Sequence, residues 1–187
     1  ILFIADEIQT GIARTGKMLA IDHENIQADM LILGKALSGG AYPVSAVLAN
    51  DEIMNVIKPG QHGSTYGGNP LACAVAMEAL QVVIDEDLAQ KADYLGKIFR
   101  LEVEKLSADF PLIKSVRGKG LLNAILINDT PESSTAWDLC VAMMQNGLLA
   151  KPTHGNIIRF APPLVIGEEN LRTALEVLKR TFSEFKK

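Results

Sequence analysis

Short runs of adjacent apolar residues, each closed by polar ones, dominate the first fifty positions. Residues 1–5 read ILFIA and end on Asp6-Glu7, while residues 30–33 read MLIL and end on Gly34-Lys35. Runs this short, without alternation, fit strands buried on both faces, as in parallel sheets. A third run, VSAVLA over 44–49, follows the loop ALSGGAYP, and the turn-rich loop GSTYGGNP fills 63–70. Its Asn69-Pro70 end has the chemistry of a helix start: a capping side chain, then a residue whose missing N–H costs nothing there. From there the period changes. Met77, Leu80 and Ile84 mark one helix, Asp85-Glu86-Asp87 interrupts it, and Leu88, Ala92, Leu95, Phe99, Val103 and Leu106 mark a second.

Farther on, GLLNAILIN (120–128) is strand-like, 136–145 is helical, and Ile157–Phe160 is a short strand. A terminal helix carries Leu171, Leu175, Leu178, Phe182 and Phe185 on one face. No segment repeats. The pattern predicts an α/β chain in two parts: residues 1–86 belong to a parallel-type sheet domain, and residues 87–187 form a small α+β domain. The chain opens inside an apolar strand, which would leave an unpaired edge unless another segment covers it. The expectation is therefore the C-terminal portion of a longer polypeptide.

Composition narrows the function classes. The 187 residues are 48% hydrophobic and 21% charged, which is ordinary for a folded globular chain. A net charge of −4 without a basic run lacks the electrostatic footprint of a nucleic-acid binder. No apolar run approaches the ~18 residues of a membrane-spanning helix. Cys73 and Cys140 have no ligand spacing, and neither do His23, His62 and His154. They read as buried thiols in a reducing compartment and as plain polar histidines, with no metal site.

Two features carry candidate chemistry. GIARTGKM (11–18) has the spacing of a phosphate-cradling nucleotide loop, but Met18 stands where a hydroxyl must hold Mg²⁺. Nucleotide hydrolysis is excluded on that ground. The second feature is the pair Asp6 and Lys35, each at the C-terminal end of an apolar strand, where open α/β sheets bind ligands. A partly buried lysine there would have a lowered pKa and become nucleophilic toward aldehydes. An acid beside it matches the lysine and acid partner of pyridoxal phosphate sites. Residue types alone also allow a surface lysine and a strand-ending aspartate.

DEIQTGIARTGK, LGKALSGGAYPVSAV, HGSTYGGNPLAC, VRGKGLL and IIRFAPPL, in that order, resemble the class III aminotransferases over essentially the whole chain. The resemblance implies a fold type I transferase that uses pyridoxal 5′-phosphate, with part of its large domain (a mixed, mostly parallel sheet) followed by the small C-terminal domain. It implies that Lys35 holds the cofactor covalently and shuttles the proton, and that Asp6 pairs with the pyridine nitrogen. Gln9 would lie near the ring hydroxyl, and Thr65, with Ser64 beside it, would reach the phosphate. In the family that last loop comes from the neighbouring subunit, so a homodimer with shared sites is implied.

Arg159 matches the arginine that grips a substrate carboxylate, with a structural salt bridge as the rival role, just as turn stabilisation is the rival for Thr65. Arg117 reads as a positioning residue, and Tyr42 and Tyr66 as possible site walls. Within the family, AKPTHGNIIRFAPPL and RGKGLLNAI point to the branch that moves the δ-amino group of L-ornithine to 2-oxoglutarate. The acetylornithine and 4-aminobutyrate branches share the Asp, Gln, Lys and Thr positions. The implied partners are amino-acid and 2-oxo-acid substrates, a second subunit, and the N-terminal half of the same enzyme. The implied compartment is the cytoplasm, or the mitochondrial matrix of a eukaryote. A non-catalytic dimerisation or folding module is the alternative of a different class.

Overall fold

The structure is a computed structural model and describes residues 1–185. It divides into two compact units, 1–90 and 91–187, with the divide between Gln90 and Lys91 rather than at Glu86. Each unit is built on its own sheet.

In the first unit the three apolar runs form strands β1 (Ile4–Asp6), β2 (Met30–Leu33) and β3 (Ala46–Ala49), side by side in that order. β1 and β2 are parallel, with Asp6 opposite Ile32, whereas β3 runs antiparallel to β2. A mostly parallel sheet was expected; these strands give one pair of each kind. After the loop 34–45 the chain returns alongside β2 in the opposite direction. A short helix α1 (Asp51–Met54), not foreseen, is capped by Asn50, whose Oδ1 accepts from Ile53 N at 3.1 Å. Helix α2 (Pro70–Asp85) starts where expected: Asn69 Oδ1 accepts from Ala72 N at 2.9 Å and Pro70 follows in the first turn. Its buried face, Ala72, Ala76 and Val83, is small. Large apolar side chains instead lie open on this unit, among them Phe3, Ile4, Val47, Leu48, Leu71 and Met77.

The second unit holds four antiparallel strands in the order β4-β5-β7-β6: β4 (Ile113–Lys119), β5 (Leu122–Ile127), β6 (Lys151–Thr153) and β7 (Ile157–Phe160). Helices α3 (Leu88–Asp109), α4 (Thr135–Gln145) and α5 (Glu168–Glu184) supply the rest of its core. Strand β5 alternates strictly, sending Asn123, Ile125 and Ile127 inward. Ile158 and Phe160 of β7 join them, together with the stripes Leu95-Phe99-Val103 of α3, Leu139-Met143 of α4 and Leu171-Leu175-Leu178-Phe182 of α5. Phe99 and Phe160 stack at a tilt, their centroids 5.2 Å apart. Phe185, expected on the last helical turn, lies just past the end of α5 and is half-buried against the same core. Of the two cysteines only Cys140 is buried; Cys73 is exposed on α2, because that helix buries only its alanine-rich stripe and Val83.

The β4–β5 hairpin is fixed to α3 through close approach. A methyl group on Gly96 would stand 1.8 Å from the Gly120 carbonyl oxygen, so only glycine lets the hairpin tip reach the helix. Arg100 Nη1 donates to Gly120 O at 3.1 Å and to Asn123 Oδ1 at 2.8 Å, while Asn123 Nδ2 donates to Gly120 O at 3.1 Å. These bonds satisfy the polar atoms of a fully enclosed asparagine, as burial demands.

Candidate active site

The parallel pairing of β1 and β2 brings Asp6 and the residues leading to Lys35 to the same end of the first sheet. Successive residues of a strand face opposite ways, so Asp6 and Glu7 diverge. Asp6 is exposed, and its Oδ1 accepts from Ile8 N at 3.1 Å. Glu7 is 2% exposed and ties down the loop that follows. Its carboxylate accepts from Thr10 Oγ1 and, at 2.9 Å, from Ile21 N. Its backbone N–H donates to Ile32 O at 3.0 Å and its carbonyl accepts from Gly11 N at 2.8 Å. A methyl group on Gly11 would lie 2.6 Å from that carbonyl, which explains the glycine by contact and not by phosphate binding.

The rest of GIARTGKM is wound tightly. Ile12 and Ala13, both buried, adopt positive φ of 56° and 66°, a conformation that branched and methyl side chains resist. His23 Nε2 lies 3.1 Å from Thr15 O and closes the far side of the loop. Half-buried Arg14 has its pKa lowered by desolvation. Lys17 Nζ donates to Asp22 O at 2.6 Å, away from the strand ends. The false nucleotide motif is thus a brace, and Glu7, which the sequence reading passed over in favour of its neighbour, is the residue that holds it. The signal was present in the alternation of the acidic pair.

Lys35 opens a single 3-10 turn (Lys35–Ser38) with φ at 51°, left-handed for a residue that is not glycine. The turn is locked by Ser38, whose Oγ donates to the Tyr42 carbonyl oxygen, and it packs beside α2. Lys35 is exposed, contrary to the partial burial expected from the apolar strand before it, because the turn carries it out to the wall of an open cavity. That cavity, of about 1070 Å³, is lined by Lys35, Ser38, Tyr42, Ser64, Tyr66 and Asn69 among others. Ser64 Oγ accepts from Gly67 N at 2.9 Å and so shapes its own turn. Asp6, Gln9 and Thr65 are exposed and are not among the residues that line the cavity. An amine on one wall, hydroxyls around it and a carboxylate on the adjacent strand end form a donor set suited to an aldehyde cofactor with a basic ring. The cavity is large enough for a cofactor and substrate together.

Arg159 belongs to the second unit. It lies on β7, opposite Ala124 of β5 and Lys151 of β6, and half-buried in the wall of a separate cavity of about 400 Å³. The salt bridge that rivalled its carboxylate role is not among the ion pairs of the described residues. Arg117, on β4, lies opposite Ala124 from the other side. Among the described residues no cluster of three His, Cys, Asp or Glu side chains could hold a metal, and no helix is long and apolar enough to cross a membrane.

Comparison with known proteins bears on the whole chain. The family model described as aminotransferase class-III matches residues 1–182. The mitochondrial ornithine aminotransferase of Rattus norvegicus is 59% identical over 185 residues, which is 99% of this chain and 42% of that protein. A crystal structure of acetylornithine aminotransferase from Elizabethkingia anophelis is 70% identical with a TM-score of 0.96, covering 99% of this chain and 46% of that one. An ornithine aminotransferase structure from Toxoplasma gondii, described as having partial pyridoxal phosphate occupancy at its active site, is 48% identical with a TM-score of 0.91. It covers 97% of this chain and 43% of that one. The chain therefore spans less than half the length of these relatives.

Proposed function

Because the chain belongs to the class III aminotransferases, we propose that it forms part of a pyridoxal-phosphate-dependent transaminase moving the δ-amino group of L-ornithine to 2-oxoglutarate. The observation that carries this reading is the delivery of Asp6 and Lys35 to one end of two adjacent parallel strands, with Lys35 on the wall of an open cavity. When bound, the cofactor supplies an aldehyde and an electron-accepting ring that stabilises a carbanion. Lys35 Nζ would hold the cofactor covalently and move the proton at the reacting carbon. The Asp6 carboxylate would pair with the ring nitrogen and keep it protonated, and Gln9 would lie near the ring hydroxyl. Ser64 and Thr65 serve the phosphate. Thr65, exposed and outside the Lys35 cavity, fits a role in the neighbouring site of a homodimer. Arg159 grips a substrate carboxylate through its planar fork.

In this reading the first unit is part of the large cofactor-binding domain and the second is the small C-terminal domain. Further chain of the same enzyme covers the open apolar surface around β1 and β3, a reading supported by the greater length of the relatives and by the size of that surface. The protein works in the cytoplasm or, in a eukaryote, in the mitochondrial matrix, the latter supported by the word mitochondrial in the rat relative's name. Acetylornithine as amino donor is the second reading, favoured by the 70% identity to the Elizabethkingia enzyme.

Borohydride reduction of the complete protein with pyridoxal phosphate, followed by peptide mapping, tests the core of the proposal. The label is expected on Lys35 alone. A label on Lys17 or Lys58, or a Lys35→Ala variant that still transaminates, refutes it. Single-turnover amino transfer from ornithine against acetylornithine then separates the two donors.

A further inference from the structure

The backbone of Lys35 is unfavourable on its own terms. At φ 51° its Cβ crowds the following carbonyl oxygen, and a residue keeps that shape only where its surroundings impose it. Leu37 N donates to Gly34 O at 3.1 Å and Gly39 N to Ala36 O at 2.9 Å, which closes the 3-10 turn. Ser38, 3% exposed, then ties the turn to the chain beyond it. Its Oγ donates to the Tyr42 carbonyl oxygen and accepts from Tyr42 N at 3.3 Å, while its own carbonyl accepts from Ala41 N at 3.1 Å. This bridge spans Gly39 and Gly40, at φ 63° and 86°, whose permissive backbones would otherwise pass no constraint back to Lys35. On its other side the turn rests on α2, where a methyl group on Gly39 would stand 3.5 Å from Ala79 Cβ. Ser38 lines the same cavity as Lys35. A serine hydroxyl has one proton, however, and this one goes to Tyr42 O, so it is committed to the loop and not to a ligand.

We propose that Ser38 is a positioning residue: through its bridge to Tyr42 it keeps Lys35 left-handed and so holds the amine on the cavity wall, where an aldehyde can meet it. The inference rests on the reading of Lys35 as the lysine that holds the cofactor. An amine whose orientation is settled beforehand reacts faster than one that must find it during the reaction. The rival role is that of a plain wall, in which Ser38 shapes the cavity without acting through Lys35.

Stopped-flow addition of pyridoxal phosphate to the cofactor-free complete protein, with borohydride trapping, decides between them. It reads how fast the Lys35 amine condenses with the aldehyde carbon and releases water. Ser38→Ala is expected to slow that step roughly tenfold, and Ser38→Thr, which keeps the hydroxyl, to restore it. In a Lys35→Ala background, Ser38→Ala should change the non-covalent Kd of pyridoxal phosphate by less than about twofold. An unchanged rate overturns the proposal, and so does a Kd that weakens as much as the rate falls, the signature of a wall. Should Ser38→Ala not fold, Ser38→Cys, a weaker donor of similar size, carries the same comparison. A second measurement needs no cofactor. Lys35→Gly removes the left-handed penalty, which exists only while the bridge imposes it. Lys35→Gly should therefore favour urea unfolding roughly fivefold more in the Ser38→Ala background than in the original protein. Equal effects in both backgrounds overturn the proposal. If Lys35 takes no label but this coupling is present, the inference stands and the transaminase reading falls. If Lys35 is labelled at the same rate with and without the Ser38 hydroxyl, the inference alone falls.

Discussion

The carboxylate of Glu7 offers a sharp test of how the strand-end loop is held. Glu7→Gln keeps size and one accepting oxygen but turns the other into an NH₂ group that cannot accept. Either Thr10 Oγ1 or Ile21 N then loses its partner. A hydrogen bond to a charged group contributes about 1.5–3 kcal/mol, and the site is too enclosed for water to replace it freely. A local cost of about 2 kcal/mol corresponds to roughly 30-fold faster opening of the loop. Hydrogen exchange of the complete protein, resolved by peptide, should show that acceleration over residues 8–21, the segment that Glu7 ties down. Peptides over β4 and β5 should exchange as before, since they belong to the other unit. Loop exchange within threefold of the original protein would refute the idea that the buried carboxylate is the clamp.

Three further outcomes follow from the second unit and the cysteines. Gly96→Ala places a methyl group 1.8 Å from Gly120 O and must push the hairpin off α3, at a cost of about 3 kcal/mol or more; a drop in the urea midpoint of unfolding checks it. Asn123→Leu removes one partner each from Arg100 Nη1 and Gly120 O, which keep only each other, and should cost about 1.5–3 kcal/mol on the same assay, despite the gain in apolarity. Cys73, exposed, should react with a thiol reagent at pH 8, and Cys140 should not, because burial pushes its thiol up to about 11 from 9.0. Since the unfolded thiol ionises first, Cys140 favours the folded state below pH 9, and that contribution is lost as pH rises from about 9 through 11.

Most helices and the apolar strands were legible in the sequence for simple reasons. The cap at Asn69-Pro70, the stripes of α3 and α5 and the run Ile157–Phe160 each combine periodicity with a terminal signal. Strands β4 and β6 were missed because neither carries an apolar signature. IKSVRGK is mostly exposed, and KPT is three residues with a proline at a sheet edge, positions that pairing alone turns into strands. The direction of β3 was equally invisible, as it depends on the path of the loop before it. Of the candidate site, Lys35 and Asp6 were marked by their strand-end positions. The exposure of Lys35 was misjudged because burial of a strand end depends on the turn that follows. Glu7 escaped notice because its role is one of packing geometry, which no motif spells out.

The pairing of Asp6 with Ile32 makes the identity of the outward-facing acid a matter of parity. Two carboxylates stand next to each other on the chain, and only the two-residue repeat of the strand decides which meets solvent and which is sealed inside. Deleting or inserting one residue in β1 would exchange them, carrying Asp6 into the brace and pushing Glu7 out to the sheet end, without altering the acid content of the segment. Homologous chains should therefore tolerate many substitutions in ILFIA but almost no change in its length. A length variant there would be expected to fail in chemistry before it failed in stability.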